Sequence, residues 1–85
     1  MQKYAVTIYE SDIEKYSTEI TTEDIHDDIY DIISDAIWAA YPTDNMSTPN
    51  SVDIDRAYDN AEFDETGFVA YFGHDDGCMI TATRQ

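Results

Sequence analysis

At 85 residues the chain has room for one small domain, and its 13 Asp and 6 Glu stand against only 2 Lys and 2 Arg, a formal net charge of −15 at pH 7. That balance excludes nucleic acid and anionic membrane as direct partners, because both would repel the chain, and it points to a basic protein surface instead. The 42% hydrophobic and 13% aromatic content separates it from disordered acidic tails, no apolar run reaches the length of a signal or a membrane span, and the single cysteine, Cys78, forms no intrachain disulfide, so a folded cytoplasmic domain is expected.

Residues 2–10, QKYAVTIYE, place Tyr4, Val6 and Ile8 on one face and Ala5, Thr7 and Tyr9 on the other, the alternation of a half-buried strand. Ser11-Asp12 is turn-prone, and residues 13–20 return as a second strand, so a hairpin is predicted. Thr21-Thr22-Glu23-Asp24 combines a Thr cap with acids suited to the positive end of a helix dipole. From there Ile25, Ile29, Ile32, Ile33, Ile37, Ala40 and Tyr41 recur at three- and four-residue steps, an apolar helix face that Pro42 ends.

Residues 42–51 read as a polar loop between two prolines that carries the chain across one edge of the sheet. Over 52–58, Val52, Ile54, Arg56 and Tyr58 alternate with Asp53, Asp55 and Ala57, which reads as a strand, with a short helix through 55–62 as the alternative. Residues 68–73 and 78–84 are strands, joined by His74-Asp75-Asp76-Gly77, where Asp-Gly signals a hairpin. The sum is an α+β fold in ββα-βββ order: an antiparallel sheet of four to five strands with one amphipathic helix on one face.

Three acidic regions stand out. Asp24, Asp28, Asp31 and Asp35, with Asp27 beside them, lie opposite the isoleucines, and their four-, three- and four-residue steps raise successive carboxylates by about 4.5–6 Å along the axis. Phosphates of one DNA strand rise by about 3.4 Å each, a spacing of the same order. Asp is a weaker helix former than Glu, and no Lys or Arg occurs between Lys15 and Arg56 to relieve the repulsion, so this face is not composed for stability. The second region is Asp53, Asp55, Asp59, Glu62, Asp64 and Glu65, and the third is Asp75-Asp76. Tyr30, Trp38 and Tyr58 are less clearly inward than the strand tyrosines and are candidate interface anchors.

Chemistry has few handles. Asp53, Asp55 and Asp59, closing on Asp64, faintly match a calcium loop, but Tyr58 stands where that loop needs Gly and the closing Glu is missing. His74, Asp75, Asp76 and Cys78 lack a second Cys or His pair at zinc spacing. His26 has no nucleophile placed beside it by any motif, and no Gly-rich phosphate loop occurs, so neither enzyme activity, metal nor cofactor is expected.

In size, in charge and in the carboxylate row Asp24, Asp28, Asp31, Asp35, the chain resembles the small acidic DNA-mimic proteins of phages and mobile elements: anti-restriction proteins, anti-CRISPR proteins and the uracil-DNA glycosylase inhibitor. The stretch TIYESDI at 7–13 resembles the acidic strand-edge segment of the glycosylase inhibitor, but that family's N-terminal helix is missing here, so the resemblance is one of class. It implies an inhibitor in the host cytoplasm that occupies the DNA-binding groove of a CRISPR effector, a restriction enzyme or another DNA-processing protein, with the three acidic regions as its partner-binding residues. The alternatives are an immunity or antitoxin protein that neutralises a nuclease through an aromatic patch flanked by acids, and a calcium-binding module.

Overall fold

The computed structural model describes residues 1–41 and 51–85. β1 (Gln2–Glu10) and β2 (Ile13–Thr22) form the expected hairpin, with Ser11 (φ 52°) and Asp12 (φ 67°) both left-handed as a type I′ turn requires. Then come α1 (Ile25–Ala40), α2 (Ser51–Asn60), the short β3 (Glu62–Asp64), β4 (Gly67–Phe72) and β5 (Cys78–Arg84). All pairings are antiparallel, in the order β2-β1-β5-β4-β3.

The α+β class and the antiparallel sheet stand, but the ββα-βββ order with one helix does not: the elements run ββααβββ, and residues 52–58 are helical. The period-two pattern there is coincidental. Of Val52, Ile54, Arg56 and Tyr58 only Ile54 is buried, Val52 being 73% exposed, whereas Ile54 and Ala57 pack into the core and Ala61 continues their stripe. That is three- and four-residue spacing, with Asp53 at the favourable end of the dipole. The edge crossing predicted for residues 42–51 lies outside the described residues, apart from Ser51, which opens α2.

Both helices cover the same side of the sheet. Val6 and Ile8 of β1, Ile80 and Ala82 of β5, and Phe68, Ala70 and Phe72 of β4 point to that side and share one core with the α1 isoleucines and with Ile54 and Ala57 of α2. The other side carries Ala5, Thr7, Tyr9, Val69, Met79 and Thr81, all half-buried, with the Thr7 and Ser17 hydroxyls 3.3 Å apart across it. No helix among the described residues is long and apolar enough to cross a membrane.

The start of α1 differs in detail from expectation. Asp24, not a Thr, is the cap: its carboxylate accepts from the His26 N–H at 2.9 Å. Thr22 is the last residue of β2 and acts from there, its hydroxyl accepting from the Asp24 N–H and donating to Asp28. In the β4–β5 connection the left-handed residues are Gly73, Asp75 and Asp76 rather than Gly77, a conformation Asp tolerates better than most residues. At the far end of α1, Tyr41 is buried and donates its hydroxyl to Glu10 at 2.7 Å, and burial together with that bond pushes its phenol pKa well above the ordinary value.

Two outcomes follow from these contacts. Replacing Ser11-Asp12 by Asn-Gly, the pair best suited to a type I′ turn, is expected to stabilise the fold by about 0.5–1 kcal/mol, seen as a rise of a few degrees in thermal melting. A phenol whose pKa is raised by folding contributes stability that is complete below its unfolded pKa of about 10 and is lost as pH climbs through the folded value. Urea titrations between pH 8 and pH 11 should therefore show stability declining above about pH 10, and Tyr41→Phe should be less stable at pH 8 with a shallower alkaline decline.

Candidate acidic interface

On α1 the five acids divide by what they hold. Asp24 caps the helix, with His26 Nδ1 3.6 Å from its carboxylate, and Asp28 is tied to the Thr22 hydroxyl. Asp27, Asp31 and Asp35 are exposed and make no hydrogen bond or ion pair among the described residues. Helical geometry turns Asp28, Asp31 and Asp35 toward β2. There they line a groove of about 440 Å³, facing Tyr16 and Thr18 over an apolar floor that includes Val6, Ile20 and Ile32.

In the second region, helix formation sends neighbouring acids to different sides. Asp53 accepts from the Gly73 N–H at 3.1 Å, and Asp55 accepts from the Tyr30 hydroxyl at 2.9 Å, a bond that raises the Tyr30 pKa. Asp64 belongs to the β3–β4 turn, where one oxygen accepts from the Thr66 hydroxyl and N–H and from the Gly67 N–H. Those bonds favour the carboxylate, led by the Thr66 hydroxyl, and hold its pKa below the usual value. Asp59, Glu62 and Glu65 are exposed. In the third region Asp76 meets Arg56 at 3.3 Å and Asp75 is exposed.

Three contacts that the sequence does not signal knit these regions together. Tyr30 to Asp55 joins α1 to α2, Arg56 to Asp76 joins α2 to the β4–β5 turn, and His26 stacks on Phe63 of β3 with ring centroids 4.0 Å apart. Between the helices Tyr30 and Tyr58 meet edge to face at 5.3 Å while staying 42% and 46% exposed, so two of the three candidate anchors form one aromatic patch among acids. Trp38, also exposed, lies eight residues beyond Tyr30 on α1, about 80° further round the helix, and stands apart from that patch on the side of Asp31.

The metal readings gain no geometry. Asp53 and Asp55 point to opposite sides of α2, and no group of three or more His, Cys, Asp or Glu side chains converges among the described residues. The His74 side chain, part of one candidate set, lies outside the described residues, and the Cys78 thiol is buried 3.8 Å from the Tyr41 hydroxyl. Compared with known proteins, the chain matches no family model, no curated protein and no solved structure.

Among the described residues two contacts pair a basic or imidazole side chain with a carboxylate, His26 with Asp24 and Arg56 with Asp76, so repulsion dominates the surface. Raising NaCl from 0.01 M to 0.15 M shortens the screening length from about 30 Å to about 8 Å and is expected to raise the melting temperature. A melting temperature that falls with salt would mean that native ion pairs outweigh the repulsion.

Proposed function

We propose that this protein is a nucleic-acid decoy, an inhibitor of the kind carried by phages and mobile elements. It lays its two-helix acidic face in the DNA-binding groove of a CRISPR effector, a restriction enzyme or another DNA-processing protein of the host cytoplasm. The observation that carries this reading is the number of exposed carboxylates on α1, α2 and the β4–β5 turn, three elements held together by the Tyr30–Asp55 and Arg56–Asp76 contacts. The domain is 36 Å long and 21 Å across, so its net charge of −15 amounts to one charge per about 2.4 Å of length, against one per about 1.7 Å of duplex DNA.

The mechanism is competitive occupation and needs neither catalysis nor a cofactor. Lys and Arg side chains that hold phosphates in the partner pair with Asp27, Asp31, Asp35 and Asp59, whose carboxylates are not committed to the fold. Opposite fields over two whole surfaces speed encounter and make association sensitive to salt. The Tyr30–Tyr58 patch favours a second reading, an immunity or antitoxin protein, because aromatic anchors at the centre of a polar rim dominate the binding energy in many tight complexes.

Capture of partners from host lysate at low salt, followed by graded salt washes and competition with duplex DNA, tests the first reading. A DNA-binding protein released by duplex and by moderate salt is expected. Substituting Asp27→Asn, Asp31→Asn, Asp35→Asn and Asp59→Asn in turn should weaken capture step by step, by about 1 kcal/mol or less each, and flatten the salt dependence. Asp24 and Asp28 are unsuitable for this series because each also holds the start of α1. Unchanged affinity and salt dependence in the fourfold variant would overturn the decoy function. A loss of about 2 kcal/mol or more on Tyr58→Ala alone would assign the surface to the immunity-type reading.

A further inference from the structure

The two borders of the sheet are built differently. At one, β3 pairs only three residues, and beyond it the Asn60 side chain takes over: its Oδ1 accepts from the Tyr71 N–H at 2.8 Å and its Nδ2 donates to the Tyr71 C=O at 2.6 Å. The amide does what a neighbouring strand would do. At the other border β2 runs for ten residues, Ile13–Thr22, with no strand beyond it among the described residues.

The register shows which backbone groups face outward there. Gln85 N–H donates to the Lys3 C=O at 2.9 Å, so the odd residues of β1 turn their backbone groups toward β5 and the even ones, Tyr4, Val6 and Ile8, turn theirs toward β2. Their β2 partners Ile20, Thr18 and Tyr16 therefore face β1, and the N–H and C=O groups of Ser17, Glu19 and Thr21 face away from the sheet. Edge strands are commonly guarded by lysine. The one lysine of β2, Lys15, lies at the register shift and extends over the Tyr41 ring at 5.6 Å, leaving residues 16–22 without a cationic guard.

Above this border runs the groove lined by Asp28, Asp31 and Asp35. We infer that the β2 border of this protein is a docking site for an extended basic segment of a protein partner, added to the sheet as a sixth strand. Its backbone pairs with Ser17, Glu19 and Thr21, and alternate side chains, about 6.8 Å apart along a strand, reach the helix side. There they meet carboxylates that rise in steps of about 4.5 and 6 Å along α1, which selects Lys or Arg at every second position. A second copy of this chain is the wrong occupant, since it would bring another fifteen negative charges to an acid-lined border. An occupied β2 border needs no DNA-binding groove in the partner, so it stands or falls separately from the decoy function.

The probe is a capped eight-residue peptide alternating Lys with Val, titrated into the isotope-labelled full chain and followed by amide NMR. Shifts and slowed hydrogen exchange are expected at the Ser17, Glu19 and Thr21 amides. Two further peptides of the same charge, N-methylated at one or the other alternate set of residues, should differ: one binds like the parent and the other at least about tenfold more weakly, because only one set faces β2. Asp31→Asn with Asp35→Asn should weaken the parent peptide by about tenfold while leaving the same amides affected. Equal binding of both methylated peptides, or shifts confined to α1 and α2, would reduce the effect to charge attraction and overturn the site. Slow exchange at the three amides in the peptide-free protein that rises with protein concentration would overturn it in favour of a second copy.

Discussion

The isoleucine stripe of α1 has to hold that helix against the sheet while carboxylates on its other side push one another apart. Ile29, Ile33 and Ile37 are nearly or wholly buried against a floor that includes Val6, Ile8 and Ile80, and full burial of a side chain of this size is worth about 1.5–3 kcal/mol. Repulsion between like charges at helical spacing costs a few tenths of a kcal/mol per pair. The core therefore outweighs the surface residue for residue, and a chain of this length can carry so uneven a charge without unfolding. The helices lie on one side of the sheet, over that core, and the other side is only half-buried at Ala5, Thr7, Tyr9, Val69, Met79 and Thr81.

The acids are not one population. Asp24, Asp53 and Asp64 accept backbone N–H groups at a helix start and at two turns, Asp28 ties α1 to Thr22 of β2, and Asp55 ties α2 to Tyr30 of α1. These carboxylates shape the fold through hydrogen bonds that a neutral amide would replace only in part. Asp27, Asp31, Asp35 and Asp59 have no such duties among the described residues. Composition alone treats all of them as equivalent charge, and only the fold separates those that are structural from those available to a partner.

What could be read from the residues was what depends on neighbours in the chain. The α1 stripe is sixteen residues long with six buried positions, too regular to be mistaken, and the β1 alternation and the Ser11-Asp12 turn are equally local. The segment from Ser51 to Asn60 misleads because Ile54 and Ala57 satisfy a helical period while Val52 and Tyr58 imitate a strand, and the deciding factor is packing against Phe68, Ala70 and Phe72, far along the chain. β3 is too short to leave a pattern, and Asn60 looks like any polar residue until Tyr71 is beside it. How the three elements that carry the acids pack together was illegible for the same reason, since it rests on contacts 20 and 25 residues apart between Arg56 and Asp76 and between Tyr30 and Asp55.

Asn60 also limits how this sheet can grow. Chains that polymerise edge to edge need two complementary open borders, one to receive a strand and one to pass the pairing on. By occupying both backbone groups of Tyr71 with a single side chain, Asn60 closes the β4 side beyond the three-residue β3. With only the three residues of β3 left to pass the pairing on, a strand taken up at β2 favours a complex of fixed stoichiometry over a fibre.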